Sequence, residues 1–513
     1  MRRHMLPLAA LLLAAGPADA DARPPRGGLD RPAETSGRPS GQVDLDRLLG
    51  EPAYAEQFLR GLDASEAATT RDPEARLVFL GIRALALAGA RRAGEAGAAV
   101  DALLAERARD PSSYMLGWIA AGTVNDIGRM VAVAEAASRN VPAAGRSELY
   151  VLLPPEQVFT LARQLAAEGR EAERDRLYDA LAAIDWPGEL QPESRDAVRM
   201  NLVDRHLARR DRDAAARIAR TIAAPAQLLP LLTTRKYDGL LDPADPLATF
   251  RDALREHDRV TAAAVAARPD DLAVLVARAQ HLRGVGRYAD VLALLSPHLA
   301  DVPATFAAES QGMWVINEAA FALLDLGRGD EAAALMERLI AQDIEARPGL
   351  IGPSINHIEL LRAAGRPADA LAHAERLRIG HGPRYANGYG ERWIDEGTVC
   401  ALAALGRTAE AAPHLARLRA RRDDNPAALS RALLCVGAED EAAALMVRRL
   451  GSADPAEAIT ALQQFELQSA ADRDDPLTAR LDALRARPEV AAALARVGRS
   501  LRLPLSRSYW GSY

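Results

Sequence analysis

Nine histidines, 70 carboxylates and one lysine are the side chains with which this 513-residue chain could do acid–base, metal or nucleophilic chemistry. Their spacing argues against it. No HExxH stands on a helical pattern, and His373 and His381 straddle a break instead of sharing a face. No GxxxxGK loop is present to cradle phosphates, and Lys236 follows Arg235, not glycine. No GxSxG elbow presents a serine. His281, His298, His357 and His414 fall in apolar-periodic segments, where an imidazole packs or meets water without a ligand role. Asp423-Asp424 and Glu439-Asp440-Glu441 stand at turns and helix starts, where negative charge complements the helix dipole. An all-helical carbohydrate-active enzyme, a lyase or hydrolase, would need only two carboxylates and no local motif. Such enzymes usually carry many aromatic rings for sugar stacking, and aromatics are 4% of this chain. The expectation is no catalytic residue, no metal and no cofactor, with the enzyme kept as the rival reading.

Composition narrows the partners. A net charge of -6 and a pI near 6.0 give no basic footprint for a nucleic-acid backbone. Residues 1–22 read as an export signal: Arg2, Arg3 and His4, an apolar core over 5–15, then small–x–small cleavage sites at 18–20 and 20–22. No cysteine follows that core to carry a lipid, and no later run approaches ~20 apolar residues. The expected location is periplasmic or secreted, without a membrane span. Residues 23–43, rich in Pro, Gly, Arg and Ser, read as a disordered leader. Cys400 and Cys435 are the only cysteines. They can pair across successive hairpins in an oxidising compartment, or pack as two small buried thiols. Both readings stay open.

The elements that must position any site are helices. In 316–341, Ile316, Ala320, Leu323 and Leu324 lie on one helical face, and Ala332, Leu335, Met336 and Leu339 on another. Gly327 suits the left-handed residue between them, and Asp330 a cap for the second helix. Neither helix can hide its stripe alone. The turn signal recurs at Gly89, Gly128, Gly169, Arg210, Gly286, Gly327, Gly365, Gly406 and Gly437, spaced by 39, 41, 41, 76, 41, 38, 41 and 31 residues. A fixed period in this range marks stacked repeats. Downstream come alanine-rich starts (Ala172, Ala370, Ala411-Ala412, Ala442-Ala443) that let paired helices approach closely.

This pattern resembles the tetratricopeptide repeat superfamily, most clearly in the units around Gly286, Gly327, Gly365 and Gly406. Ala320, Leu323, Ala332 and Met336 fall on that family's packing positions, as do Leu275, Ala279, Leu282, Val291 and Leu295. The period, about 40 against the family's 34, departs from it. The resemblance implies an all-α fold: an α-solenoid of antiparallel helix pairs in a right-handed superhelix, its concave groove lined by the first helix of each pair. Groove positions carried over by register are Gln280, Arg283, Trp314, Asn317, Glu318, Asn356, Glu359, Arg362, Trp393 and Glu396. Amides, charges and two indoles suit an extended protein or peptide partner. The expected function is therefore a non-enzymatic exported scaffold for protein–protein interaction. Besides the enzyme, the rival is an envelope module of polysaccharide export or secretion.

The expected organisation is a helical array over 44–224, a Pro-rich junction over 225–246, a second array over 247–499, and an aromatic tail over 500–513. The tail is a cap for the last apolar face or a docking segment. The stretch 379–393, with four glycines, reads as a long loop between helices.

Overall fold

The computed structural model describes residues 44–69, 73–188, 191–241, 243–308 and 311–510. The export segment, the leader and Tyr513 lie outside them. The fold is all-α, a succession of helical hairpins, with two short strands among the described residues. No described helix is long and apolar enough to cross a membrane. Contacts divide the chain into two compact units, Met1–Leu202 and Val203–Tyr513.

In the first unit the hairpins are Pro73–Gly89 with Ala93–Ala105, Pro111–Thr123 with Ile127–Asn140, and Pro155–Ala167 with Glu171–Ala183. Two of the expected turn glycines do other work. The left-handed residues are Arg91 and Asn125, not Gly89 and Gly128. At Gly89 a Cβ would sit 1.8 Å from the Leu48 carbonyl oxygen, so this glycine serves a close backbone approach. Gly128 is already inside a helix whose first turn is capped by Asp126. Proline likewise marks the start of the next helix: Asp110 and Asn425 cap, and Pro111 and Pro426 are the first helical residues.

Among the described residues, the second unit holds five hairpins joined by a left-handed glycine. Their first helices are α1 (Leu272–Gly284), α3 (Gly312–Asp325), α5 (Ile351–Ala363), α7 (Gly388–Ala404) and α9 (Pro426–Cys435). Their second helices are α2 (Tyr288–Leu295), α4 (Gly329–Ile340), α6 (Pro367–Ile379), α8 (Thr408–Ala420) and α10 (Glu439–Leu450). One turn chemistry repeats. The carbonyls of Leu282, Leu323, Leu361, Leu402 and Leu433 accept, at 2.8–2.9 Å, the amide of the residue after the turn glycine. Those glycines, Gly286, Gly327, Gly365, Gly406 and Gly437, have φ between +73° and +80°, which a Cβ would disfavour. The following arginine pairs with the acid three residues on: Arg287–Asp290, Arg328–Glu331, Arg366–Asp369 and Arg407–Glu410, at 2.6–2.8 Å. Asp330 is therefore no cap: the helix begins at Gly329, and Asp330 lies in its first turn. Ala332, Ala333, Ala370, Ala411, Ala442 and Ala443 are all essentially buried, so neighbouring helices meet with little between them.

The ends of this unit meet. The stretch 225–246 folds as helix Pro225–Thr233, with Pro230 inside it, and a short 3-10 turn Arg235–Tyr237. Thr233 accepts the Arg499 amide at 2.8 Å, and Arg235 Nε donates to the Ala495 carbonyl at 2.7 Å. Strand β1 (Gln464–Leu467) pairs in parallel with β2 (Arg502–Ser506), and Leu503 and Leu505 are fully buried. The chain then turns through helix Arg507–Trp510 against α1. Gly284 lies beneath Tyr509 and Trp510, and Tyr288 hydrogen-bonds Ser506 at 2.7 Å. The stretch 379–393 is mostly helix, not loop. A short helix Gly382–Tyr385 leads into α7, whose first turn is capped by Asn387 accepting from the Gly390 amide at 2.9 Å. The glycines that suggested a loop pack closely instead: a Cβ on Gly390 would meet Ile355 at 3.2 Å.

Candidate functional site

All ten predicted groove residues lie on first helices, and the structure joins them in two groups. Around α1 and α3, Arg283 is clamped by Glu318 (3.1 Å) and Asp325 (2.9 Å), and its guanidinium stacks over Phe321 and Tyr509. Gln280 reaches Glu318 at 3.5 Å, the limit of a hydrogen bond. Arg283 and Glu318 are buried, and the C-terminal helix Arg507–Trp510 lies against Arg283. Arg362 is likewise taken: Asp475, the cap of helix Pro476–Ala486, holds it in two bonds of 3.0 and 3.1 Å. This end of the inner face is filled by the chain's own C-terminal segment.

The second group remains open. Between α5, α7 and α9 lies a pocket of about 450 Å³. Ile351, Ile355, Tyr385, Tyr389 and Trp393 form its apolar walls; Asn356, Glu359, Glu396 and Arg431 supply its polar groups. Tyr389 stands edge-on to Trp393 with centroids 6.2 Å apart, and the Arg431 guanidinium lies 5.4 Å from the Trp393 ring centre. Trp314 packs on Gly352 of the pocket wall, where a Cβ would touch the indole at 3.3 Å. Asn356 donates to the buried Asn317 at 3.0 Å, linking α5 to α3.

Arg431 organises the floor. Its Nε donates to Glu396 at 3.1 Å and its Nη2 to Glu359 at 2.8 Å. Burial pushes the Glu396 carboxyl above its usual value, against the pull of Arg431. Burial would do the same to Glu359, but Arg431 and Arg362 bring its carboxyl below the usual range. Glu396 Oε1 also lies 3.4 Å from Cys400 Sγ. Cys400 and Cys435 form a disulfide, so the cysteines are paired, not free thiols. It joins α7 to α9 one turn beyond Glu396 and Arg431, and so fixes the two helices that carry the pair.

Between α5 and α6 lies a histidine pair. His357, 2% exposed, packs edge-on against His373 with centroids 5.0 Å apart. His373 Nε2 meets the Ser354 carbonyl at 2.9 Å while Arg376 faces Nδ1, which favours the neutral ring. Burial, then His373, Arg366 and Arg376, lower the His357 pKa to about 3. The unfolded chain gains a proton here below pH ~6.5 and the native state does not, so stability falls as pH drops. From His357 alone the expected loss between pH 7.5 and 5 is about 2 kcal/mol. Urea titrations at both pH values check this, and His357→Leu should shrink the difference by about 2 kcal/mol.

Sequence register places the ten residues on first helices and gives no sign of Arg431, Asp475, Tyr389 or the isoleucines of α5 as their neighbours. Arg431 stands as far before Gly437 as Glu359 does before Gly365, so the same register could have found it. Asp475 comes from outside the hairpins, and no periodicity points to it.

No protein-family profile matches the chain, and no curated protein matches it. Among solved structures, it is similar to the one titled "Structure of Naa15/Naa10 bound to HypK-THB", at 14% identity, covering 82% of this chain and 70% of that one, with a TM-score of 0.21. It is also similar to a circular tandem repeat protein with novel repeat topology and enhanced subunit contact surfaces, at 14% identity, 88% and 96% coverage and a TM-score of 0.15. These TM-scores are too low for either likeness to carry weight, and the helical-repeat class rests on the chain's own hairpins.

Proposed function

We propose that this chain is an exported, tetratricopeptide-like helical scaffold that binds an extended segment of a protein partner on the inner face formed by α3, α5, α7 and α9. One observation carries the reading: the C-terminal segment fills the α1 end of that face and leaves uncovered a mostly apolar pocket lined by Tyr389 and Trp393. Indoles beside amides such as Asn356 are the composition of a peptide-binding hot spot. The Cys400–Cys435 disulfide supports an oxidising compartment, in keeping with the export signal read in residues 1–22. Affinity capture from an envelope extract tests the binding surface. Trp393→Ala and Asn356→Ala should each lose most of a partner recovered by the unaltered chain, and undiminished recovery would refute the assignment.

A second reading, the carbohydrate-active enzyme, has one observation in its favour. Glu359 and Glu396 line one pocket and their carboxyls are displaced in opposite directions, as in an acid–base pair. Against it, Glu396 is sealed behind Arg431. Release of reducing ends from a polysaccharide panel, abolished by Glu396→Gln, would favour the enzyme over the scaffold.

A further inference from the structure

We infer that the pocket between α5, α7 and α9 takes a basic side chain, an arginine or lysine of the extended partner segment. The inference rests on the peptide-binding reading and names the residue that the pocket selects. Its first support is the charge around the floor. Two arginines, Arg362 and Arg431, face three carboxylates, Glu359, Glu396 and Asp475. Arg431 is 7% exposed and engaged by two of those acids, so it has little to offer an anion. The Glu359 side chain is 36% exposed, the most accessible member of the cluster for which the balance is negative.

The walls give the second support. The pocket's rings attract cations through their negative faces: Tyr385 and Trp393 already hold the guanidinium groups of Arg384 (5.1 Å) and Arg431 (5.4 Å), and Tyr389 presents its ring beside them. Tyr389 is 53% exposed, a large aromatic standing in water at the pocket rim. A neutral aromatic guest would strip water from Glu359 and return no partner. An acidic guest would meet Glu359 directly. A basic side chain lays its methylene stem along Ile351 and Ile355 and brings its head to the aromatic rings and the carboxylate.

The test uses the full chain and three pools of fluorescein-labelled, acetylated decapeptides. Each pool has arginine, phenylalanine or glutamate fixed at the central position and mixed residues elsewhere. Fluorescence anisotropy should show the arginine pool binding at least ten-fold more tightly than the glutamate pool. Glu359→Gln should reduce that preference about ten-fold. Tyr389→Leu serves as the second variant, because an exposed site keeps the fold intact while the aromatic face is lost; it should weaken the arginine pool and spare the phenylalanine pool. Equal affinity for the arginine and glutamate pools overturns the inference. So does a phenylalanine or glutamate preference that still depends on Trp393, although the peptide-binding surface would then stand. If no pool binds in a Trp393-dependent way, both the inference and that surface fall.

Discussion

Replacing Arg431 with methionine lowers the local stability of α7 and α9 by about 3–5 kcal/mol, because the buried Glu396 carboxylate, with the half-buried Glu359 beside it, is left without its cation. Arg431 is 7% exposed, Glu396 is 5% exposed, and the guanidinium bridges Glu396 to Glu359 across three hairpins. Methionine keeps most of the volume, so the loss reports charge more than packing. The sign of the pH dependence separates the two. Without Arg431, the Glu396 carboxyl rises further above its unfolded value, and the Glu359 carboxyl loses the larger of the two charges that hold it low. The variant then recovers stability relative to the wild type as pH falls towards the unfolded carboxylate range. A packing defect would cost the same at every pH. Adding Glu359→Gln and Glu396→Gln to Arg431→Met should restore part of the loss. Native-state hydrogen exchange on peptides covering 388–404 and 426–435 measures all of these differences at once.

Removing the disulfide is the second large effect. The crosslink closes a separation of 35 residues, and the entropy returned to the unfolded chain on opening it corresponds to about 3–4 kcal/mol. Cys400→Ala with Cys435→Ala, or reduction of the unaltered chain, should shift urea unfolding of the second unit accordingly. The double variant should then be indifferent to reductant. A wild-type transition that reductant leaves in place would mean that the hairpin contacts of α7 and α9 hold these helices without help. Because the crosslink sits one turn from Glu396 and Arg431, its loss should also loosen the pocket, raising exchange in α7 more than in α3.

Much of this architecture was legible because hairpin packing writes itself into the sequence locally. A leucine, a left-handed glycine, an arginine and an acid three residues later encode a helix end, a turn and the next helix start within a few residues. Where another residue could supply the turn, local reading slipped. Asn125 and Arg91 take the left-handed conformation in the first unit, and Gly89 answers to the backbone of Leu48, far away in sequence. The first-helix positions were legible by register, since Trp314 and Trp393 stand equally far before their turn glycines, as do Arg283 and Arg362. What register could not foresee is which of those residues the chain would consume itself. Asp475, Ser508 and Tyr509 reach Arg362 and Arg283 only because the C-terminal segment folds back, and that return is a tertiary event. The run 379–393 was misread for a related reason. Its glycines looked like freedom, yet Gly382 and Gly390 are small so that α7 can press against its neighbours.

The binding face is tested most directly by fluorine NMR on the full chain carrying 5-fluorotryptophan at its five tryptophans, titrated with the tightest decapeptide from the arginine pool. The Trp393 and Trp314 resonances should shift together and saturably, while Trp118 and Trp186 stay in place. Binding that leaves Trp393 unmoved, or that moves Trp118 or Trp186 instead, would contradict the account.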